Sequence, residues 1–428
     1  MSFAAGRPVL AIPGPSPVPD RVLRAMHRPS PDIYGGELVD LNQRLMVGLR
    51  RLAGTRQHVA AYIGNGHAAW EAANMNLFAP GDRALVLVAG HFGRGWAETA
   101  RAIGVEVETI EAAPFTAPDP QQLADRLAAD REGRIRAVLV CQVDTASSIR
   151  SDIPAIRDAM GDHPAALAVD AIASLGCEPM RMDDWGVDVL VSASQKGLMV
   201  PPGLAFVWFS DKVAAGRGAA TPYWDWTPRA KAAELWQFWG GTPPVQHLYG
   251  LAEALALLLD EEGLEAAWTR HEGLAAATWA ALDAWGQGGE IRAQIADPAQ
   301  RGRSVTAVAL KGADRLRGWT ERQAGLTLGI GLGAPEPSDA LRIAHMGHVS
   351  AHMHLGTLAV IEAGLAALGL PHAPGGVAAA AAEIARRSTA AGWNKLSSRA
   401  SASACRPATA RACRRARAWA ARRWPGLR

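Results

Sequence analysis

Two short apolar runs that end in polar residues constrain the fold of this chain more than any other feature. The run at 167–169 stops at Asp170, and the run at 187–191 leads into Ser-Ala-Ser-Gln and then Lys196. Short apolar runs rich in β-branched residues and bounded by turn residues are typical of buried parallel strands. Because ligands bind at the carboxyl ends of strands in open α/β sheets, we expect Asp170 and Lys196 to lie at one ligand crevice.

Lys196 stands out because lysine is scarce in this chain. Only five lysines occur among 44 basic residues, so arginine supplies most of the positive charge. Arginine stays protonated, whereas burial can lower the pKa of a lysine until it forms a Schiff base with a carbonyl. Such a lysine, with an aspartate beside a pyridine nitrogen, allows pyridoxal phosphate to act as an electron sink. The alternative is a surface lysine after a strand and an aspartate that caps a helix.

Composition favours a large globular protein in the cytoplasm. The chain has 428 residues, 49% of them hydrophobic, so it can bury a large core and divide into two domains. No apolar run reaches the length of a membrane span, and the N-terminus lacks the continuous apolar region of a secretory signal. The four cysteines do not suggest a disulfide framework, so we expect a cytoplasmic location.

The net charge of +3 conceals an acidic body and a basic tail. Residues 386–428 carry twelve basic residues and no acid, which leaves 32 basic and 41 acidic residues elsewhere, a net charge of −9. We therefore expect no nucleic-acid partner for the body. The tail lacks apolar periodicity and is predicted to be disordered, without a part in catalysis; a nucleic-acid-binding tail is the alternative.

The lysine motif carries a family resemblance. Ser-Gln-Lys-Gly-Leu-Met-Val-Pro-Pro-Gly-Leu at 194–204, with Val-Asp-Ala-Ile-Ala-Ser at 169–174, resembles the class V, fold-type I pyridoxal-phosphate enzymes. The resemblance is to the alanine/serine–glyoxylate aminotransferase group. It implies an α/β fold with a mainly parallel sheet in a large domain and a smaller C-terminal α+β domain. We expect an N-terminal arm at 1–20, the large cofactor domain at 21–261, the small domain at 262–385 and the disordered tail at 386–428.

A glycine-rich turn is the candidate phosphate site. It follows a predicted strand at 59–63 and opens a helix, so its backbone N–H groups and the positive helix end suit a phosphate. Gly66 and His67 are the candidate ligands, although such turns also exist merely to reverse the chain.

The later loop at 90–96 lacks the spacing of a dinucleotide-binding fingerprint. The resemblance implies that its Phe92 stacks on the cofactor, whereas the alternative is a core phenylalanine.

The loop after the predicted strand at 137–141 is the next candidate element. The resemblance implies that Thr145 bonds near the phenolic oxygen of the cofactor. Asp144 also fits the family pattern, but Ser148 replaces a glycine, which leaves the loop geometry and the substrate open. The same residues could instead cap the helix that begins near Asp152.

An aromatic cluster at 221–239 precedes the segment that carries Thr242. Aromatic residues in loops are enriched at interfaces. The resemblance implies that this loop crosses to a partner subunit, where Thr242 contacts the phosphate of the other protomer, so we expect a homodimer with shared sites. Trp239 stands where the family has a second partner-facing residue, a tyrosine. Gln195 is a further candidate ligand of the phosphate.

Arg342 is the candidate substrate-binding residue. Its segment at 340–348 resembles the family segment whose arginine clamps the substrate carboxylate, and a planar guanidinium suits bidentate binding. A surface ion pair is the competing explanation. Four nearby histidines invite a metal site, but nearby carboxylates are lacking and we expect none. They are His345, His348, His352 and His354.

Together these features predict a pyridoxal-phosphate-dependent aminotransferase. Lys196 would hold the cofactor as a Schiff base and move the substrate proton, while Asp170 keeps the pyridine nitrogen protonated. The resemblance implies a reaction that moves an amino group from alanine or serine to glyoxylate or pyruvate. Alternatives are a pyridoxamine–pyruvate aminotransferase and a non-catalytic protein that binds the cofactor. Cysteine desulfurases share the implied fold but need a mobile cysteine in the small domain. Because 251–385 contains no cysteine, we do not expect a desulfurase.

Overall fold

The computed structural model describes residues 2–217 and 221–390, in which strands and helices alternate over much of the chain. The strands are β1 (Val9–Ala11), β2 (His58–Gly64), β3 (Arg83–Val88), β4 (Glu106–Glu111), β5 (Ile135–Cys141), β6 (Ala166–Asp170), β7 (Val189–Ala193), β8 (Gly203–Phe209), β9 (Arg292–Ala293), β10 (Val305–Ala309), β11 (Leu326–Ile330) and β12 (Ala340–Ala344). The helices are α1 (Asp20–Met26), α2 (Glu37–Ala53), α3 (Gly66–Leu77), α4 (His91–Ala102), α5 (Pro120–Ala129), α6 (Ile153–Met160), α7 (Trp226–Ala230), α8 (Leu235–Trp239), α9 (Val245–Leu255), α10 (Leu264–Trp285), α11 (Ala313–Ala324), α12 (Ala351–Ala367) and α13 (Gly376–Ala390). Of the predicted disordered tail, 386–390 belong to α13 and 391–428 lie outside the described residues.

A seven-stranded sheet forms the larger part of the fold. Its order is β2-β8-β7-β6-β5-β3-β4. Within the described residues, β8 is antiparallel to both of its neighbours and the other six strands run in one direction. The carboxyl ends of those six strands therefore meet at one edge, and the prediction of a mainly parallel α/β sheet is confirmed.

The core lies on both faces of this sheet. Along β6, Leu167 and Val169 pack into one apolar cluster with residues of α2 and α9, whereas Ala166 and Ala168 pack into a second cluster with residues of α3 and α4. Alternate residues of a strand point to opposite faces. Because both faces are covered, the central strands are continuously apolar rather than alternating, which is why they were recognisable in the sequence.

Helix α2 shows how helices cover the sheet. Its residues Leu38, Leu45, Leu49 and Leu52 recur at helical spacing and are all buried. The helix ends at Gly54, whose φ of +66° is the left-handed conformation that glycine adopts readily. Helix α9 continues directly into a π-helical segment, Ala256–Glu262. None of the helices in the described part of the chain is long and apolar enough to cross a bilayer.

A second, five-stranded sheet contains the C-terminal strands. Its order is β1-β11-β12-β10-β9, with β1 parallel to β11 and the other pairs antiparallel. Strand β1 lies within the N-terminal arm expected at 1–20. Both sheets belong to one compact unit, Met1–Ala381. The domain boundary expected between 261 and 262 remains a prediction.

Candidate active site

The parallel strands bring four of the predicted site residues to one edge of the seven-stranded sheet. Asp170 is the last residue of β6, and Lys196 follows the end of β7 by three residues. Thr145 lies in the loop after β5, and Phe92 lies in the first turn of α4, which follows β3. The edge is the one at which open α/β sheets bind ligands.

Lys196 lies in an environment that favours its neutral form. Desolvation lowers the pKa of its amine to about 8, and the nearby positive charge of Arg342 acts in the same direction, while Asp170 opposes it. The Nζ atom donates a hydrogen bond to the carbonyl oxygen of Pro13. An amine that is partly neutral near physiological pH is a competent nucleophile and base.

The N-terminal segment at 13–16, here called the strap, lies against Lys196. The N–H of Ser16 donates to the Gln195 carbonyl at 2.8 Å, and its Oγ donates to the Lys196 carbonyl at 2.7 Å. Gly14 has a φ of +122°, and a Cβ at this position would overlap the Lys196 side chain. The strap was not predicted from the sequence, although a glycine between two prolines was the available signal.

Asp170 is a buried carboxylate with donors on both oxygens. Its Oδ1 accepts from the Ile172 N–H at 2.7 Å, and its Oδ2 accepts from the Trp70 Nε1–H at 3.0 Å and from the Cys141 thiol at 3.7 Å. Burial raises the pKa of Asp170 to about 6, and these hydrogen bonds act against that rise. The group is therefore poised to be ionised at neutral pH without being strongly acidic.

Trp70 connects several parts of the candidate site and was missed from the sequence. It lies on α3 and is 1% exposed. Its ring lies 4.8 Å from the ring of His67 and 6.3 Å from the ring of Phe92, centroid to centroid. A buried indole N–H nearly always has an acceptor, so a tryptophan in the helix opened by the glycine-rich turn was a usable signal.

The predicted phosphate turn forms the start of α3. Gly66 is the first helical residue, and the side chain of Asn65 accepts from the N–H of His67 at 3.1 Å. One helix-opening donor is thus already used by the helix cap. The side-chain oxygen of Gln195 is buried and makes no hydrogen bond within the described residues, so this amide has bonding capacity left for a ligand.

The loop after β5 is held by Asp144. Its carboxylate accepts from the N–H groups of Phe92 at 2.8 Å and of Gly93 at 3.2 Å, so it caps α4. The cap that the sequence considered, on the helix near Asp152, is instead made by Asp152 itself.

Ser148 occupies the position at which the family has a glycine. Its φ is +60°, the left-handed region that favours glycine. Its Oγ accepts from the N–H of Ala307 at 3.1 Å, which ties the loop to β10. The loop therefore has a glycine-like conformation in spite of the serine.

Arg342 lies in β12 and is 7% exposed, so it is not part of a surface ion pair. Its Nε donates to the Ile330 carbonyl at 2.8 Å and its Nη1 donates to the Thr145 carbonyl at 3.0 Å. Burial lowers the pKa of the guanidinium to about 10. Its Nη2 makes no hydrogen bond within the described residues, which leaves it available to a carboxylate.

The residues expected at a subunit interface divide into buried and exposed ones. Trp239 is 0% exposed and its Nε1 donates to Asn42 Oδ1 at 3.0 Å, so it belongs to the core of its own chain and does not face a partner. Trp226 is also buried, whereas Trp236 is 47% exposed. Thr242 is exposed in the turn between α8 and α9.

The four histidines of 345–354 do not form a common site. His345 bonds through Nε2 to Thr306 Oγ1 at 3.1 Å, and His354 bonds through Nε2 to Thr278 Oγ1 at 2.7 Å. Among residues 2–217 and 221–390, no group of three or more His, Cys, Asp or Glu side chains is arranged to hold a metal ion.

Known proteins resemble this chain over most of its length. The sequence profile of the family described as Aminotransferase class-V matches residues 9–317. A serine–glyoxylate aminotransferase of Methylorubrum extorquens is 35% identical over 393 residues, covering 89% of this chain and 96% of the relative. An L-aspartate–glyoxylate aminotransferase of Paracoccus denitrificans is 33% identical and covers 90% of this chain and 98% of the relative.

A solved structure supports the same assignment. The crystal structure of pyridoxamine–pyruvate aminotransferase from Mesorhizobium loti superimposes with a TM-score of 0.81 at 27% identity, covering 90% of this chain and all of that one. The fold-type I architecture expected from the lysine motif is thereby confirmed, as is aminotransferase activity as the enzyme class. The chain therefore belongs to the class V aminotransferase family.

Proposed function

We propose that this enzyme uses pyridoxal phosphate to transfer an amino group from a small amino acid, alanine or serine, to glyoxylate or pyruvate. The observation that carries the proposal is the Lys196 amine, with a pKa near 8, at the same sheet edge as the buried Asp170 carboxylate. The names of the serine–glyoxylate and aspartate–glyoxylate relatives support an amino acid donor and glyoxylate as the acceptor.

The side chains at this edge fit pyridoxal phosphate. Lys196 would hold it covalently through Nζ, and Asp170 would face its ring nitrogen. The remaining candidates are Phe92 for the ring, Thr145 for the phenolic oxygen and Gly66, His67 and Gln195 for the phosphate. The unpaired atom of Gln195 is its side-chain oxygen, an acceptor, so a hydrogen bond from this residue to the phosphate would have to come from the amide Nε2. When bound, the cofactor supplies an electron sink for negative charge that develops at the substrate Cα.

Three side chains would divide the work of the reaction. Arg342 binds the substrate carboxylate through its unengaged Nη2, which fixes the direction of the Cα–H bond. Lys196 Nζ, once the substrate amine has taken its place on the cofactor and freed it, would remove the proton from Cα as a general base. The Asp170 carboxylate is held ionised by its donors from Trp70 and Ile172, and so presents a fixed negative charge to the crevice.

A half-reaction screen tests the proposed substrates. The full-length protein loaded with pyridoxal phosphate is mixed separately with alanine, serine, glycine and pyridoxamine, and its absorbance is followed. We expect alanine or serine to convert the cofactor to its amine form and glyoxylate or pyruvate to restore it. A loaded protein that responds to none of these amino acids would contradict the proposal.

A pyridoxamine–pyruvate aminotransferase is the second candidate. The similarity to the Mesorhizobium loti enzyme favours it, as does the Asn65 cap, because the His67 N–H is not free to bind a phosphate. Protein that is isolated colourless and turns over free pyridoxamine with pyruvate would support this candidate over the first.

We further propose a homodimer with shared sites, on the basis of the exposed Thr242 and of exposed apolar residues such as Trp236 and Val47. Mixing Lys196→Ala and Thr242→Ala subunits tests it. If Thr242 serves the site of the partner subunit, the mixed dimer contains one intact site and regains activity. If each site is built from one chain, no intact site forms and mixing restores nothing.

We also infer a cytoplasmic location. The support is the two cysteines in the described residues, Cys141 and Cys177, which are buried free thiols. The proposal gives the body no nucleic-acid partner, because its net charge is −9.

A further inference from the structure

The indole of Trp70 packs in the apolar cluster of α3 and α4 and also makes a polar contact with the candidate site. It is one of two stacked tryptophans between α3 and α4: the rings of Trp70 and Trp96 lie 6.2 Å apart with an interplanar angle of 10°. Both are essentially buried, and each donates one hydrogen bond from Nε1. Trp96 donates to the neutral amide of Asn74, whereas Trp70 donates to the carboxylate of Asp170.

We propose that Trp70 is a positioning residue, which fixes the Asp170 carboxylate in one orientation toward the ring nitrogen of the cofactor. This inference rests on the proposed cofactor function of Asp170. The Ile172 N–H holds one carboxylate oxygen at 2.7 Å, and the Trp70 N–H holds the other at 3.0 Å. Two donors on different oxygens restrict rotation of the carboxylate about its bond to Cβ, while an ionised carboxylate retains lone pairs for a third partner.

The surroundings of Asp170 make the hydrogen bond from Trp70 important for keeping the carboxylate ionised. Cys141 on β5 and Asp144 in the following loop face the carboxylate, and Lys196 after β7 supplies positive charge. Burial and Asp144 raise the pKa of Asp170, whereas the hydrogen bonds from Ile172, Trp70 and Cys141 lower it. A charge-assisted hydrogen bond therefore counteracts a desolvation cost that would otherwise protonate the carboxylate.

Trp70 also links this carboxylate to other parts of the candidate site. It shares α3 with Gly66 and His67, and its ring contacts both His67 and Phe92. The helix that would bind the phosphate and the carboxylate that would face the ring nitrogen are thus held at a fixed separation by one side chain. A phenylalanine would retain much of the ring contact and lose the hydrogen bond.

Titration of Asp170 tests the proposal without depending on activity. Full-length protein is labelled with carboxyl-¹³C aspartate and freed of cofactor, and the Asp170 signal is assigned with Asp170→Asn. In Trp70→Phe we expect the titration midpoint to rise by about one pH unit, the value of one hydrogen bond to a carboxylate. Trp96→Phe, which removes a stacked indole and its hydrogen bond elsewhere, should leave the midpoint at the wild-type value.

A second substitution covers the case in which Trp70→Phe does not fold. Benzothienylalanine at position 70 has the shape of tryptophan and carries sulfur in place of the indole N–H, and it should raise the midpoint equally. The proposal is overturned if neither change at position 70 moves the midpoint, or if Trp96→Phe moves it as far.

Binding of pyridoxal phosphate separates this inference from the proposed function. We expect loss of the Trp70 N–H to weaken binding about fivefold to tenfold, and loss of the Trp96 N–H to leave it unchanged. Wild-type protein that forms no coloured complex with pyridoxal phosphate would refute the proposed function. The Asp170 titration would still decide, in that case, whether Trp70 controls the carboxylate.

Discussion

Ionisable side chains are buried in two regions of this enzyme, and the regions differ in what surrounds them. At the edge of the seven-stranded sheet, Lys196 has its pKa lowered to about 8 and Asp170 has its pKa raised to about 6. Near the five-stranded sheet, burial lowers the pKa of His271 to about 3 and that of His354 to about 4. His345, also buried there, has a pKa well below its ordinary value.

His271 and His345 have partners on both ring nitrogens within the chain, whereas the Nδ1 of His354 is buried without a partner in the described residues. His271 Nε2 accepts from the Gly347 N–H at 3.0 Å, and its Nδ1 lies 2.7 Å from the Ala267 carbonyl. At the sheet edge, by contrast, the Gln195 oxygen and one guanidinium nitrogen of Arg342 have no partner in the described residues. Burial alone does not distinguish a functional group from a structural one. Unused hydrogen-bonding capacity beside groups with opposite pKa shifts does.

Of the changes at the sheet edge, removal of the Lys196 amine should reduce activity most. In Lys196→Ala we expect the half-reaction to slow by at least about 1000-fold, since both the covalent link and the general base are lost. Single-turnover absorbance measures it. Lys311→Ala, at an exposed lysine after β10, is the control and should retain the wild-type rate. A Lys196→Ala enzyme with the parental rate would contradict the role assigned to this residue.

Neutralising the carboxylate should have the next largest effect. Asp170→Asn cannot stabilise a protonated ring nitrogen, and we expect kcat to fall by about 100-fold to 1000-fold. The matched control is Asp188→Asn, which alters another buried carboxylate, bonded to Ser210 and Lys212 outside the candidate site. Equal losses of kcat in the two folded variants would show that the effect is not specific to the sheet edge.

Arg342→Lys retains a positive charge but loses the planar guanidinium, which can donate two parallel hydrogen bonds to a carboxylate. The hydrogen bonds to Ile330 and Thr145 orient this guanidinium, so we expect KM for the amino acid to rise by about 10-fold to 100-fold. Steady-state kinetics with the preferred donor measures KM and kcat separately. An unchanged KM with a reduced kcat would instead assign Arg342 to a step after binding.

The histidine region should respond to pH through stability. A histidine whose pKa is lowered by folding binds protons more readily when unfolded, so stability is full above about pH 6.5 and falls as the pH drops. For His354, with a folded pKa of about 4, the loss between pH 6.5 and 5 is about 2 kcal/mol. Urea unfolding at several pH values measures this loss, and the free energy of unfolding of His354→Gln should depend less steeply on pH than that of the wild type. An equal dependence on pH would contradict the conclusion that His354 is neutral in the folded protein.

The smallest effect is expected at Ser148. Ser148→Gly relieves the strain of a φ of +60° but loses the hydrogen bond from Ala307, so the free energy of unfolding should change by no more than about 1 kcal/mol. Denaturant unfolding of the variant measures it. A loss of more than about 2 kcal/mol would show that the hydroxyl, and not the backbone conformation, holds this loop.

The sequence was informative where local pattern determines structure. Asp170 and Lys196 were placed at strand ends because buried parallel strands are short, apolar and bounded by turns. The strap at 13–16 and the Trp70 bond to Asp170 join residues 183 and 100 positions apart, and no spacing encodes such contacts. The orientation of Trp239 toward its own core depends in the same way on a distant partner, Asn42.

The most direct test of the central claim is to trap the covalent link. Protein loaded with pyridoxal phosphate is reduced with borohydride, digested and mapped by mass spectrometry. We predict one pyridoxyl group, attached to Lys196 in the peptide that contains 194–204. Label on another lysine, or a loaded and reduced protein with Lys196 unmodified, would contradict it.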